Sequence, residues 1–329
     1  MSETRQTNNI LDDIHRLIPD DIEAVNLLMH ASMHSEIPLI SDISQYIADG
    51  GKRIRPIVAL LIARALGHDQ RHHIDIACIV EFIHTATLLH DDVVDHSELR
   101  RGKETANLVW GNEASVLVGD FLYARAFQLL TLMNNNKLAN ILANASSAMA
   151  ESEVLQLMHR HNPAISRQDY LKIITGKTAT LFEAASTMSA NICECDPSVA
   201  EKMKTFGKHF GLVFQLVDDA LDYSGSSKAL GKNIGDDLME GKITLPLIHA
   251  LDHGSDAQKN EIKEAIQSGK VKSFDSIKKA IDDTKAIEHT IDCAKQYAKI
   301  AIDALSCLSP SEYRDALIAL TEFSIQRNN

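Results

Sequence analysis

The chain has 329 residues, of which 45% are hydrophobic and 5% aromatic, and its formal net charge at pH 7 is −12. This length and apolar content allow a large core, while the negative charge and the lack of a broad basic segment argue against general nucleic-acid binding. The first residues, MSETRQTNN, contain no signal-peptide core, and the apolar run from Ile57 to Leu66 is too short to span a bilayer. The five cysteines are scattered, with one C-x-C pair at Cys193 and Cys195, which predicts reduced thiols in the cytoplasm rather than a zinc site.

Helical periodicity begins near Ile10, after a polar segment, residues 1–9, that we expect to be disordered. Strand signals are scarce, and Asp196-Pro197 and the Ser309-to-Glu312 capping box are helix starts. No linker or fixed-period repeat divides the chain, so we predict one all-α bundle domain over residues 1–329. The predicted helices cover residues 20–33, 36–48, 56–67, 74–96, 114–133, 139–160, 169–190, 197–223, 245–252, 256–268, 273–284 and 287–306.

An acidic cluster ends one of the most apolar helices. The segment from Phe82 to Asp95 has the sequence FIHTATLLHDDVVD, and its apolar first half predicts a buried helix. Asp91 and Asp95 are four residues apart, so both carboxylates lie on one helix face. Like charges at this spacing destabilise an isolated helix, and a compensating cation is therefore expected.

The same arrangement recurs downstream. The segment FGLVFQLVDDALD begins at Phe210 and ends in Asp218, Asp219 and Asp222. One acidic cluster is usually a solvated helix face, but two clusters that each end an apolar helix are expected to converge on cations. Mg²⁺ typically takes one or two carboxylates and completes its shell with water and substrate phosphate. The two clusters therefore predict a magnesium site for a phosphate-rich substrate.

Basic residues near these clusters supply partners for phosphate. Lys52, Arg53 and Arg55 follow two glycines, and Arg100 and Arg101 follow the first acidic cluster. Each group alone is more often an ordinary surface feature. Together with the acidic clusters they indicate a site for two polyphosphates, one bound through Mg²⁺ and the other directly by cations. A long glycine-rich connection, residues 224–241, is typical of a lid or a binding loop.

The order and spacing of these segments resemble the motif series of trans-prenyl diphosphate synthases over roughly residues 45–250. The matching segments are GGKRIRP at 50–56, DDVVD at 91–95, RRG at 100–102, DDALD at 218–222 and GKNIGDD at 231–237. Residues 85–95 and 119–123 are most similar to the long-chain branch. The resemblance implies the class I isoprenoid synthase bundle with a central substrate cavity, and a homodimer.

The resemblance also implies the reaction. Isopentenyl diphosphate would condense head to tail onto an allylic diphosphate, with farnesyl diphosphate as the expected primer, to give a product at or near octaprenyl length for a quinone side chain. We expect no nucleic-acid partner and no stable membrane insertion, but a peripheral membrane contact for product release. A shorter-chain synthase of the geranylgeranyl type is the alternative activity.

The resemblance assigns roles to individual residues. The leading ligands of two to three Mg²⁺ ions would be Asp91, Asp95 and Asp218, supported by Asp92, Asp219 and Asp222. The allylic diphosphate would be held by Arg100, Lys177, Thr178 and Lys232, with Gln215 nearby. The isopentenyl diphosphate would be held by Lys52, Arg55, His84 and Arg101. Product length would depend on Ala86 and Thr87, because an aromatic residue at these positions closes the tunnel for the prenyl tail, and on a floor formed by Phe127, Leu130 and Met133.

Other classes of protein account for fewer of these features. Glu81 and His84 form the E-x-x-H of carboxylate-bridged di-iron bundles, but we find no second copy. A histidine on an apolar helix is also more often a core residue than a ligand. A non-catalytic subunit of a heteromeric synthase would be expected to have lost an acidic motif, and a terpene cyclase would be expected to lack the loop that carries Lys52 and Arg55.

Overall fold

The structure, a computed structural model, describes residues 3–48, 51–224, 235–269 and 274–326, with side chains from Ile10 onward and without that of Asp236. A π-helical segment, Thr175–Ala179, joins α9 to α10, a 3-10 turn covers Leu305–Cys307, and β1 (Leu99–Arg100) pairs antiparallel with β2 (Lys103–Glu104). The α-helices of these residues are α1 Glu3–Leu17, α2 Pro19–Met33, α3 Pro38–Ala48, α4 Ile54–Ala65, α5 His72–Val94, α6 Ala106–Trp110, α7 Asn112–Leu132, α8 Asn136–Met158, α9 Arg167–Ile174, α10 Thr180–Ile192, α11 Pro197–Asp222, α12 Asp236–Met239, α13 Leu245–His253, α14 Asp256–Ser268, α15 Phe274–Asp283, α16 Ala286–Ala304 and α17 Glu312–Gln326. The predicted all-α class is confirmed.

The two helices that carry the acidic clusters lie in the middle of the bundle. α5 packs against α4, α7 and α10, and α11 packs against α10 and α16. Glycines let α10 and α11 approach closely, because a Cβ at Gly211 would lie 2.5 Å from the Cα of Ala179 and one at Gly207 would lie 2.4 Å from the carbonyl oxygen of Phe182. This close packing fixes the end of α11, and with it the second acidic cluster, relative to the π-helical segment.

α11 contributes to both apolar clusters of the core. Phe206 and Phe210, in its first half, belong to a cluster built mainly by α1–α5, α7, α8, α10 and α17. Leu212 to Leu221, in its second half, pack with α9, α13–α16 and Tyr223. The two apolar clusters therefore meet near the middle of α11, and its acidic end lies beside the second cluster.

The structure differs from the sequence analysis at three places. α1 begins at Glu3 rather than near Ile10, because Glu3, Arg5 and Gln6 favour extension of a helix that its apolar residues have nucleated, while residues 1–2 lie outside the described residues. The predicted helix over 169–190 is interrupted by the π-helical segment. The short α6 and α12 and the β1–β2 hairpin were not predicted, since elements of two to five residues carry no periodicity.

Candidate active site

A cavity of about 880 Å³ lies among the ends of α5 and α11, the middle of α8, the π-helical segment and residues 237–244. Of the predicted site residues, Asp92 and Ala86 are buried beside this cavity, Lys52 is exposed outside its lining, and Lys232 lies outside the described residues. The other predicted site residues line the cavity together, namely Arg55, His84, Thr87, Asp91, Asp95, Arg100, Arg101, Lys177, Thr178, Gln215, Asp218, Asp219 and Asp222. The floor predicted for the tunnel, Phe127, Leu130 and Met133, is not part of its lining.

Three cations compensate the two carboxylates on one face of α5. Lys177 Nζ lies 3.3 Å from an oxygen of Asp91. The two oxygens of Asp95 accept hydrogen bonds from Arg160 and, at 2.6 Å, from Lys242. Burial alone would raise the pKa of Asp95, but the charges of Lys242, Lys177 and Arg160 together lower it. The like charges of Asp91 and Asp95 are thus compensated by side chains of the protein itself.

Asp92 lies on the buried side of α5 and holds Arg100. The Nε and Nη2 atoms of Arg100 lie 2.9 and 2.6 Å from Oδ1 of Asp92, whose side chain is fully buried. Such a bidentate pair fixes the plane of the guanidinium. The Arg100 side chain remains 28% exposed and lines the cavity, so Asp92 orients Arg100 and does not itself border the cavity.

In the second cluster, Asp219 is the centre of a hydrogen-bond chain. One of its oxygens accepts from the Tyr170 hydroxyl and the other from Gln215 Nε2 at 2.7 Å. Gln215 Oε1 accepts in turn from the Thr178 hydroxyl at 2.7 Å. Burial, helped by the nearby charge of Asp237, raises the pKa of Asp219 to about 7. Asp219 thus orients Gln215 and Thr178, and it lines the cavity together with Asp218 and Asp222.

The π-helical segment brings Lys177 and Thr178 to the cavity. Such single-turn insertions occur mostly inside α-helices and often at functional sites. The segment lies against α8, since a Cβ at Gly176 would meet the Ser152 hydroxyl at 1.7 Å. Glu153, also on α8, lies 2.6 Å from Lys177 Nζ, so Lys177 bridges Glu153 and Asp91.

Three arginines, Arg55, Arg100 and Arg101, make part of the cavity lining basic. The guanidinium of Arg55 lies 4.6 Å from the ring centroid of Phe182, and burial lowers its pKa to about 10. Burial and, after it, the positive charges of Arg55, Arg100 and Arg101 hold the pKa of His84 well below the usual value. His84 is therefore neutral at pH 7, and it lines the cavity beside these arginines.

Four charged or polar side chains in or next to the cavity lining were not predicted, namely Glu153, Arg160, Tyr170 and Lys242. Arg160 and Lys242 reach Asp95 from segments 65 and 147 residues away in the chain, a distance that no local pattern reveals. Glu153 and Tyr170 lie on helices that were predicted, but their contacts depend on how α8 packs against the π-helical segment and how α9 packs against α11.

The donor atoms around the cavity fit Mg²⁺. Asp91, Asp95, Asp218 and Asp222 present carboxylate oxygens, which this cation prefers. Within the part of the chain that the structure describes, no three His, Cys, Asp or Glu side chains converge enough to hold a metal by themselves. Mg²⁺ usually needs only one or two carboxylates when phosphate and water complete its shell. The donor set therefore suits an ion that is shared with a phosphorylated substrate.

Comparisons with known proteins agree with this geometry. The sequence profile of the polyprenyl synthetase family matches residues 37–284. The chain is 46% identical over 320 residues to the octaprenyl diphosphate synthase of Haemophilus influenzae, covering 97% of each protein. It is 42% identical over 317 residues to the all-trans-nonaprenyl-diphosphate synthase (geranyl-diphosphate specific) of Rhodobacter capsulatus, covering 96% of this chain and 97% of that protein. A crystal structure of polyprenyl synthase from Caulobacter crescentus, complexed with calcium and isoprenyl diphosphate, is 44% identical and superposes with a TM-score of 0.93 over 97% of this chain and 98% of that chain.

Proposed function

Because this chain belongs to the polyprenyl synthetase family, we propose that it is a long-chain trans-polyprenyl diphosphate synthase that makes octaprenyl diphosphate. It would add isopentenyl diphosphate units head to tail to an allylic primer, which we take to be farnesyl diphosphate. The observation that carries this proposal is one cavity whose lining contains carboxylates of both acidic clusters together with Arg55, Arg100 and Arg101. One side suits a diphosphate bound through Mg²⁺, and the other suits a diphosphate bound by cations alone.

The two sides of the cavity can hold different substrates. Lys177 and Thr178, with Arg100 oriented by Asp92, would bind the allylic diphosphate beside Asp91 and Asp218. Two or three bound Mg²⁺ ions would neutralise charge that develops on the leaving diphosphate. Arg55, Arg101, Lys52 and neutral His84 would bind the isopentenyl diphosphate, and Arg55 is restrained by its contact with Phe182.

The chemistry requires orientation and exclusion of water rather than a protein nucleophile. Ionisation of the allylic C–O bond leaves an allylic carbocation and a diphosphate anion. The double bond of isopentenyl diphosphate attacks the cation, and a proton is then lost, in our proposal to the released diphosphate. Apolar side chains such as Leu88, Met149, Ile173 and Phe214 line the same cavity and would keep water from the cation.

We also infer a homodimer formed through α7 and α8. Eight of the fifteen exposed large apolar side chains of the described residues lie between Leu108 and Met158. By length and composition α7 could also cross a membrane, and 33% of its most apolar window is buried. The exposed Asp120 on this helix would be costly in lipid, so a second copy of the chain suits this surface better.

The oligomer can be tested by sedimentation at micromolar concentration. Leu117 is 66% exposed on α7, and Leu117→Asp should give a monomer because a charge would be buried at the interface. Leu27, which is 65% exposed on α2, provides a control in which Leu27→Asp stays dimeric. A monomeric wild-type protein would contradict the inference.

Other features of the proposal rest on the sequence. One domain over residues 1–329, a quinone as the end product and a peripheral membrane contact stay predictions. All five cysteines lie in the described part of the chain and are free thiols, which is compatible with the proposed cytoplasmic location.

Product analysis tests the activity directly. Purified protein is incubated with farnesyl diphosphate, isopentenyl diphosphate and Mg²⁺, and the dephosphorylated products are separated by chain length. We expect octaprenol, and we expect EDTA to abolish turnover without loss of helical circular dichroism. Geranylgeraniol as the final product would support the shorter-chain alternative, and hydrolysis without condensation would overturn the proposal. The same assay with geranyl diphosphate establishes the primer.

A further inference from the structure

Glu81 is a buried acid that the proposed reaction does not yet use. It lies on α5, 5% exposed, one turn before His84. Its Oε1 atom accepts a hydrogen bond of 2.8 Å from Nη1 of Arg53. A buried carboxylate destabilises the fold unless it is paired, and Arg53 supplies this partner. The ion pair thereby holds the turn before α4 against α5.

The ion pair holds a strained turn. Arg53 precedes α4 with φ at +52°, a left-handed conformation that a non-glycine residue rarely adopts. Its side chain is fixed at two points, because Nη1 binds Glu81 and Nη2 donates to the carbonyl oxygen of Ala48 at 3.0 Å. Residues 52 and 55, on either side of Arg53, are the proposed isopentenyl diphosphate contacts.

Other parts of the basic side pack against the same carboxylate. A Cβ at Gly51 would lie 3.4 Å from Nη1 of Arg101 and 3.7 Å from Oε1 of Glu81. Burial lowers the pKa of Arg55 and of Arg101, and the charge of Glu81 opposes this effect at both residues. Glu81 is therefore the counter-ion around which Arg53, Arg55 and Arg101 are arranged.

We propose that Glu81 is a positioning residue for isopentenyl diphosphate, acting through Arg53 on the turn that presents Lys52 and Arg55. The identity of this ligand rests on the proposed function, whereas the anchoring of the turn rests on the contacts above. Two effects of removing the negative charge oppose each other. Electrostatics alone would tighten the binding of an anion, but release of the turn would weaken it, because a misplacement of about 1 Å can cost on the order of a hundredfold. We infer that the loss of position outweighs the gain in charge.

The test compares the full-length wild type with Glu81→Gln, which keeps the size of the side chain and removes its charge. We expect the KM for isopentenyl diphosphate, and its dissociation constant measured by calorimetry without a primer, to rise by about tenfold. The KM for farnesyl diphosphate should change less than about twofold, since Arg53 bonds to Glu81 and to Ala48 and not to the proposed allylic contacts. Unchanged or tighter isopentenyl diphosphate binding would overturn the proposal, and so would equal weakening of both substrates.

Two further variants separate anchoring from general damage. Arg53→Gln removes the other partner of the pair, and the double variant should bind isopentenyl diphosphate no more weakly than either single variant. If Glu81→Gln does not fold, Arg53→Gln alone decides, and unchanged binding by it overturns the proposal. Asp75→Asn, on the same helix and away from the cavity, is the matched control and should bind like the wild type.

The failure of this inference can be distinguished from failure of the proposed function. Wild-type turnover with an unaffected Glu81→Gln variant would remove only the role of Glu81. Absence of wild-type turnover would contradict the proposed synthase. In that case the binding of inorganic diphosphate without Mg²⁺ is measured for the wild type and for Glu81→Gln. Equal binding by the two proteins overturns the anchoring role of Glu81 as well.

Discussion

At the scale of single residues, the six aspartates of the two clusters have different surroundings. Asp91 and Asp218 face the cavity. Asp92 is paired with Arg100, and Asp219 accepts hydrogen bonds at both oxygens. Asp95 also faces the cavity, but two cations already approach it. The same D-D-x-x-D spacing therefore produces carboxylates that face the cavity and carboxylates that orient other side chains.

Asp91 and Asp218 should be the most sensitive to removal. Asp91→Ala and Asp218→Ala are each expected to lower the rate at least about a hundredfold, on the order of 2.7 kcal/mol of transition-state stabilisation. Steady-state kinetics at saturating Mg²⁺ measures the loss, and circular dichroism checks the fold. Near-wild-type activity in either variant would refute its assignment as a metal ligand.

His84 should make the stability of the ligand-free protein depend on pH. The pKa of His84 is lowered from the ordinary 6.5 by burial and by neighbouring arginines, so the folded state keeps it neutral while the unfolded chain is protonated below that value. The unfolded state then binds more protons, and stability falls as the pH drops below 6.5. When the pH falls from about 7.5 to about 5.5, the unfolding free energy of the wild type should fall by about 1 kcal/mol more than that of His84→Gln.

Urea unfolding in EDTA at the two pH values measures this difference. The comparison is internal, because the other titrating groups are common to both proteins. Equal losses in the two proteins would mean that His84 is protonated in the folded state.

At the scale of secondary structure elements, the long helices could be predicted because apolar periodicity and capping residues are local signals. Asp196 caps α11 as its sequence indicates, whereas the cap of α17 is Ser311 and not Ser309, because the Ser311 hydroxyl accepts from the backbone N–H of Arg314. The π-helical insertion could not be predicted, since it depends on the close approach of Gly176 to Ser152 on another helix.

The parts of the site that could be predicted are those whose residues are close together in the sequence. The acidic clusters are contiguous in sequence, so spacing alone places their carboxylates on one face. Arg160, Lys242 and Tyr170 act through contacts between distant elements, and nothing in their local sequence separates them from surface residues. The sequence also did not show that Asp92 orients Arg100, because an aspartate in the same motif would suit a metal ligand.

The contact between the π-helical segment and α8 should be sensitive to one methyl group. In Gly176→Ala the new Cβ would lie 1.7 Å from the Ser152 hydroxyl, so the two elements must separate. Overpacking of this kind typically costs about 1–3 kcal/mol. We expect a lower melting temperature and, because Lys177 and Thr178 move with the segment, a raised KM for the allylic diphosphate.

A compensating substitution provides the control for this prediction. Ser152→Ala removes the hydroxyl that the new methyl group meets, and the double variant should recover part of both losses. If Gly176→Ala had wild-type stability, the packing described for these two elements would be wrong.

At the scale of the whole molecule, the cavity sets the direction in which a prenyl chain can grow. Thr87 is four residues before Asp91 and therefore lies about one helical turn, ~6 Å, below it on the same face of α5. Thr87 lines the cavity, together with Leu88, Tyr123 and Met149. Ala86 is fully buried and packs within the core. The two positions predicted to control product length are thus placed differently, and Thr87 borders the cavity directly.

Thr87→Phe should therefore block the path of the tail. Each buried CH₂ group contributes ~0.8 kcal/mol, so an open apolar path favours retention and further growth of the chain. With the path closed after the first condensation onto the farnesyl primer, we expect products of geranylgeranyl size. Mg²⁺ dependence and the first condensation should be preserved, because the aromatic ring lies below the acidic cluster. Thr87→Val, which keeps the shape of the side chain, should still give the full-length product.

Ala86→Phe extends the same test to the buried position. Its ring has to displace packed side chains of the core, so we expect a lower melting temperature together with a shorter product. Chromatography of the dephosphorylated products decides between the two positions. A full-length product from a well-folded Thr87→Phe enzyme would mean that the tail leaves the cavity in another direction, and shortening by Ala86→Phe alone would place the path between α5 and the core helices.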